Sequence, residues 1–177
     1  MPRVSARSVV SRPQVRGFSL VEILVVVMVI LVIAAIAIPN MLQARMRANE
    51  AAAVASMNVI HTAEAVYSNT YPQVGYAGNL ADLGSHGSNC ETTGKTNSCI
   101  IRDEALTSGV KGGYTFELVG DGRVPDANYT LTAAPESPGT SGRCAYTADE
   151  SGQILTTPPN SSPAARSMGG GAACEQS

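Results

Sequence analysis

Residues 16–41 read RGFSLVEILVVVMVILVIAAIAIPNM, and this stretch decides the architecture of the chain. From Ile23 to Ile38 no side chain is polar, and these 16 residues would extend about 24 Å as a helix. With the flanking residues of 18–41 the helix reaches the roughly 30 Å of a bilayer's hydrocarbon core. The stretch therefore predicts a transmembrane helix.

The residues before this helix are basic. Residues 1–17 carry Arg3, Arg7, Arg12 and Arg16 and no acid, whereas the remainder has 8 basic and 14 acidic residues and hence a formal charge of -6. A basic N-terminal flank predicts a membrane orientation with the arginines in the cytoplasm. An acidic remainder argues against nucleic acid as a partner, and no direct nucleic-acid site is evident.

A cleaved secretory signal is the rival interpretation of the apolar run. Its apolar core is usually about 7–15 residues and precedes small residues, which Ala34-Ala35-Ile36-Ala37 would supply. The run here is longer, and the helical pattern continues beyond Pro39. We therefore favour a retained helix.

The chain after residue 41 predicts a second helical half and then a sheet. One face of residues 42–70 recurs every three or four positions, through Ala53, Met57, Ile60, Glu64 and Tyr67. Alternating residues after position 112 then predict three or four short antiparallel strands within a globular part, residues 71–157. A Pro-, Ser- and Gly-rich tail follows at 158–177. We expect an α+β fold in which the long N-terminal helix packs on this sheet.

Glu22 is the residue that the apolar run does not explain. A carboxylate within a membrane-spanning segment costs on the order of 3 kcal/mol unless it is paired. The alternative without a functional role is that Glu22 lies at the membrane boundary, with its carboxylate in the interface. Cleavage between Gly17 and Phe18 would provide a cationic partner, because it creates a new amino terminus on Phe18.

The pattern Gly17-Phe18-x-x-x-Glu22, behind a basic leader and before a long apolar helix, resembles the class III signal of type IV prepilins and type II secretion pseudopilins. The resemblance is strongest over residues 16–67. It implies that prepilin peptidase removes residues 1–17 and methylates the amine of Phe18. It also implies that Glu22 attracts the Phe18 amine of an adjacent subunit, and that Pro39 loosens the helix when the subunit leaves the bilayer.

The resemblance also implies partners and a location. The chain would polymerise with itself into a helical filament, through an inner-membrane assembly platform and its ATPase. The precursor would lie among inner-membrane lipids, and the assembled pilus on the cell surface. A periplasmic pseudopilus of type II secretion stays open as an alternative, as does, with less support, a monomeric single-span sensor. No pattern of residues indicates an enzyme.

Four cysteines suit an oxidising compartment outside the cytoplasm. Sequential pairing, Cys90 with Cys99 and Cys144 with Cys174, is our prediction among the three connectivities that four cysteines allow. A zinc site is disfavoured because no Cys-x-x-Cys is present. Asp121, Asp126, Asp149 and Glu150 could contribute to a calcium site, but their spacing is not that of an EF-hand. We therefore predict no metal and no cofactor.

Overall fold

The computed structural model describes residues 18–85, 90 and 93–157. These residues form three helices and five strands, in chain order: α1 Leu20–Thr70, α2 Leu80–Leu83, α3 Glu104–Thr107, β1 Val110–Lys111, β2 Tyr114–Gly120, β3 Tyr129–Pro135, β4 Ala145–Asp149 and β5 Leu155–Thr157. The chain divides into two compact units, one ending at Asn40 and the other beginning at Met41.

The unit that ends at Asn40 consists, in its described part, of the apolar half of α1. Its side chains are exposed apart from the half-buried Ala34. β-Branched valines and isoleucines dominate this half; their helix propensity is modest, so an apolar surrounding has to favour the helix. α1 is long and apolar enough to cross a membrane, and no residue of its most apolar 18-residue window is buried.

The unit from Met41 onward is a helix packed on an antiparallel meander. The strands lie in the order β1-β2-β3-β4-β5, and every neighbouring pair is antiparallel. β2 and β3 pair along their whole length, from Tyr114 opposite Pro135 to Gly120 opposite Tyr129. This register follows from the alternation of buried and exposed residues, because a slip by one residue would turn the apolar side chains of a strand to water.

The core of this unit lies between the second half of α1 and one face of the sheet. All five residues of the predicted helix face are buried, namely Ala53, Met57, Ile60, Glu64 and Tyr67. They join one apolar cluster with alternate residues of the strands, among them Tyr114, Phe116, Leu118, Tyr129, Leu131 and Ala133. The predicted helix-on-sheet α+β architecture is therefore confirmed.

The prediction for the second unit was incomplete. Three or four strands were expected, and the described residues contain five, because β1 has only two residues and is too short to show alternation. The segment between α1 and β1 also contains α3, which the sequence did not predict. Asp103 begins this helix, and its side chain accepts hydrogen bonds from the N–H groups of Ala105 and Leu106.

Candidate assembly site

Phe18 and Glu22, the two residues that the sequence predicts to take part in assembly, lie at the N-terminal end of α1. Ser19 precedes the helix, and its carbonyl oxygen accepts hydrogen bonds from the N–H groups of Glu22, at 3.1 Å, and Ile23, at 3.3 Å. Glu22 is thus the third residue of the helix and its first-turn acid. A negative charge is favoured there by the unpaired N–H groups and the helix dipole. Ser-x-x-Glu is also the sequence pattern of a capping box, a signal that the sequence interpretation did not use.

Phe18 and Glu22 are both exposed, and Phe18 shows 77% of its surface to solvent. The two residues lie one helical turn apart in sequence. Gly17, the other half of the predicted cleavage site, lies outside the described residues. The Glu22 carboxylate and Phe18, the residue predicted to become the amino terminus, therefore lie at the same end of an apolar helix and are both exposed.

Pro39 lies inside α1, and the helix continues on both sides of it. Proline has no N–H, so the carbonyl of Ala35 loses its usual partner within the helix. The side-chain amide of Asn40 donates a hydrogen bond to the next carbonyl, that of Ile36, at 3.2 Å. Pro39 is thus accommodated without ending the helix.

The second unit contains a buried carboxyl, on the helix face that the sequence predicted but with no role assigned to it there. Glu64 is fully buried, and its Oε2 accepts a hydrogen bond from the N–H of Ala77 at 2.8 Å. Its Oε1 has no hydrogen-bond partner within the described part of the chain. Burial raises the pKa of Glu64 from 4.5 to about 8; the charges of Asp82 and Asp126 add to this, whereas the Ala77 hydrogen bond opposes it.

Two pairs of aromatic side chains belong to the same core as this carboxyl. Tyr67 and Tyr71 lie with their ring centres 4.9 Å apart, and Tyr76 meets Tyr129 edge-on at 5.0 Å. Burial raises the pKa of Tyr67 to about 12, and that of Tyr129 is raised for the same reason. These phenols are therefore neutral at physiological pH. The Tyr129 hydroxyl lies 2.5 Å from Nδ1 of His61, which ties β3 to α1.

Three of the four cysteines lie among the described residues. Cys90 and Cys99 form a disulfide with a Cα–Cα distance of 5.8 Å, which confirms that predicted pair. Cys144 is buried, and its carbonyl accepts a hydrogen bond from the Tyr114 hydroxyl at 2.9 Å. Its predicted partner, Cys174, lies outside the described residues.

The carboxylates considered for calcium lie in the connections between strands or, for Asp149, at the end of β4. Asp149 accepts hydrogen bonds from the N–H and the hydroxyl of Ser151, and Asp121 accepts one from the N–H of Arg123 at 2.9 Å. Within the described residues, no group of three or more His, Cys, Asp or Glu side chains is arranged to hold a metal ion. The Asp121 and Asp149 carboxylates instead stabilise the local backbone through these hydrogen bonds.

An exposed apolar helix with one carboxylate at its start, joined to a helix-on-sheet unit, defines a class of protein. It is a membrane-anchored α+β subunit whose helix requires a cover of lipid or of other helices. The comparisons with known proteins agree with this class. Residues 12–38 match the family described as the prokaryotic N-terminal methylation motif.

A longer match specifies the family. The type IV wide pilus major component PilA4 of Thermus thermophilus is 32% identical to this chain over 127 residues, which are 69% of this chain and 95% of that protein. No solved structure matches the chain. The chain belongs to the type IV pilin family.

Proposed function

We propose that this chain is the structural subunit of a type IV pilus, held in the inner membrane as a precursor and then polymerised through its apolar helix. The observation that carries the proposal is Glu22 at the start of a helix whose apolar surface is otherwise bare. Such a surface is removed from water either by lipid or by packing among like helices. One segment can therefore serve first as an anchor and then as a filament core.

Maturation supplies the missing partner of Glu22. Prepilin peptidase cuts after Gly17 and methylates the new amine of Phe18, which remains a cation after methylation. In the filament this amine meets the Glu22 carboxylate of an adjacent subunit. Each charge would be costly in an apolar core without the other, since breaking a buried ion pair typically costs about 3–5 kcal/mol. The pair thereby selects the register in which helices stack.

Pro39 acts in the transfer from membrane to filament. Because the Ala35 carbonyl has no N–H partner at Pro39, the helix is weakest there. Loosening at this point lets the apolar half adapt to its neighbours while the unit from Met41 onward stays folded. The same segment leaves the inner membrane when the assembly platform and its ATPase extract the subunit.

A pilus is favoured over a type II secretion pseudopilus by the relative named as a pilus component and by the Cys90–Cys99 disulfide. The pseudopilus shares the proposed processing and assembly steps and remains the alternative. The location of the filament separates the two: sheared cell-surface material contains pilin, whereas a pseudopilus stays in the periplasm.

The intact mass of the subunit in sheared surface filaments tests the proposal. We expect the loss of residues 1–17, the gain of one methyl group and a further loss of four hydrogens from two disulfides. A filament subunit that retains residues 1–17 would refute the processing and with it the role of the Phe18 amine. Filaments that lack this chain altogether would refute the structural role.

A further inference from the structure

The segment between α1 and α2 is held by contacts on two sides. On one side Ala77 is fully buried, and its N–H donates to Oε2 of Glu64 on α1 at 2.8 Å. On the other side the N–H of Tyr76 donates to the carbonyl of Asp126, in the turn between β2 and β3, at 3.1 Å. We call residues 74–77 the strap, because they connect the end of α1 to this turn.

The strap lies directly against the backbone of the turn. The N–H of Asp126 donates to the Val74 carbonyl at 2.7 Å, and a Cβ added to Gly75 would overlap the Asp126 carbonyl. Glu64 has no surface exposed to solvent although its Oε2 contacts Ala77, so the strap forms part of the cover that keeps water from this carboxyl.

Two buried carboxyl oxygens lie beside the strap without a hydrogen-bond partner in residues 18–85, 90 and 93–157. They are Oε1 of Glu64 and Oδ1 of Asp126. A carboxylate in this position would lose its hydration and gain nothing in return, whereas a neutral carboxyl is tolerated. Burial accordingly raises the pKa of Glu64 to about 8, and burial together with the neighbouring Asp121 raises the pKa of Asp126.

The titratable groups that act on Glu64 are acids and phenols. They come from α2, the β2–β3 turn, α1 and β3, and they are Asp82, Asp126, Tyr67 and Tyr129. His61, three residues before Glu64 on α1, has its Nδ1 at the Tyr129 hydroxyl. The acids and phenols supply no positive charge to an ionised Glu64, so its charge has to be stabilised by water.

We propose that the strap is a pH-sensitive device, closed while Glu64 carries its proton and open when Glu64 ionises and takes up water. Opening separates Ala77 from α1 and releases the β2–β3 turn, while the helix-on-sheet core stays packed. Such a local opening needs less free energy than global unfolding, because it exposes only one short segment. The subunit is thereby closed at this point in acidic surroundings and opens in alkaline ones.

Hydrogen exchange of the detergent-solubilised full chain, followed by mass spectrometry from pH 5 to 9, tests the strap. The closed state binds one proton more than the open state between pH 4.5 and about 8. Protection of residues 74–77, corrected for the intrinsic exchange rate, should therefore fall by up to about tenfold per pH unit and level off above that range. The central strand β3 should stay at least about tenfold more protected at each pH, since it opens only with the whole unit.

Glu64→Gln should remove this pH dependence from the strap. The matched control is Glu50→Gln: Glu50 also lies on α1 and accepts a backbone N–H, that of Arg143 at 2.7 Å, but it is only half-buried. We expect the control to keep the pH dependence of the parent. Asp82→Asn should move the levelling-off to lower pH, because it removes a negative charge that disfavours ionisation of Glu64. This variant decides the matter if Glu64→Gln does not fold.

Three results would overturn the proposal. They are a strap whose protection equals that of β3 at every pH, a strap that responds to pH equally with and without the Glu64 carboxyl, and a pH range that Asp82→Asn leaves unchanged. None of them bears on filament assembly, so the proposed function would stand.

Discussion

The carboxyl of Glu64, near the C-terminal end of α1, accepts a hydrogen bond from the N–H of Ala77 across 13 positions of sequence, at 2.8 Å and away from solvent. This hydrogen bond holds the segment that follows α1 against the end of that helix. The other oxygen of Glu64 has no partner in the described residues, and the carboxyl is therefore best accommodated in its neutral form.

Stability should fall as pH rises because of Glu64. The unfolded carboxyl ionises near pH 4.5, whereas the folded one keeps its proton until about pH 8. Between these values the folded state binds one more proton, so the free energy of unfolding decreases by up to about 1.4 kcal/mol per pH unit. The stabilisation is complete below pH 4.5 and lost above about pH 8. Thermal unfolding of the detergent-solubilised chain from pH 5 to 9 measures this slope.

Glu64→Gln is the matched variant for that measurement. Glutamine keeps an oxygen that can accept the Ala77 N–H, but it does not titrate. We expect the part of the slope that belongs to Glu64 to disappear, whatever the absolute stability of the variant. Identical slopes in the two proteins would mean that Glu64 ionises normally in the fold.

Gly152 should be needed for the stability of the fold for two reasons: its positive φ and its close approach to His61. Its φ is +73°, and a Cβ at this position would lie 2.7 Å from Nε2 of His61. The ring cannot easily move away, because its Nδ1 is bonded to the Tyr129 hydroxyl. We expect Gly152→Ala to lower the free energy of unfolding by about 2–3 kcal/mol, as left-handed strain and overpacking add.

Gly122→Ala isolates the first of these contributions. Gly122 has a φ of +75°, but no atom lies within 4 Å of the Cβ that would be added. We expect a loss of only about 1 kcal/mol, the cost of an alanine in the left-handed region. Equal losses at the two glycines in chemical denaturation would show that the contact with His61 has no energetic effect.

Much of this fold can be predicted from the spacing of apolar residues along the sequence. The three-and-four spacing of Met57, Ile60 and Tyr67 identifies a helix face, and the alternation of Tyr114, Phe116 and Leu118 identifies a strand face. Both signals are local and repeat several times, which makes them reliable. β1 and α3 were missed because two and four residues are too few to show a period.

The candidate sites were predictable only where a motif is contiguous. Phe18 and Glu22 lie within one short motif, and Cys90 and Cys99 are nine residues apart. The spacing also placed Glu64 on the buried face. Its carboxyl, however, is hydrogen-bonded by Ala77, which lies in a later segment of the chain, and the helix spacing does not predict that contact. The contact between His61 and Tyr129 joins residues 68 positions apart, and no local pattern encodes it.

The Cys90–Cys99 disulfide should stabilise the segment between α2 and α3. It closes a loop with a sequence separation of nine residues, for which the chain-entropy relation gives about 2–3 kcal/mol. The double variant Cys90→Ser with Cys99→Ser should therefore unfold at lower denaturant concentration. Cys174→Ser is the comparison, and peptide mapping without reductant should show whether Cys144 is its partner. A double variant as stable as the parent would contradict the predicted stabilisation by the disulfide.

Glu22 should be needed for assembly and not for folding. It is exposed at the start of α1, and the core of the second unit lies from Ala53 onward. Glu22→Gln removes the charge and nearly keeps the shape, so we expect leader removal and membrane insertion to continue while the yield of sheared filaments falls at least tenfold. Removing one partner of a buried charge pair costs about 3–5 kcal/mol, which corresponds to more than a tenfold change in an association constant.

The control for this variant is Glu117→Gln, which removes an exposed charge from β2 without touching the helix. We expect its filament yield to match the parent, because a solvated charge contributes little. Glu22→Asp is the graded case: it keeps the charge on a side chain shorter by one methylene, and should assemble better than Glu22→Gln. If Glu22→Asp and Glu22→Gln assemble equally well, the carboxylate charge is not what selects the register, and the helices must align through packing alone.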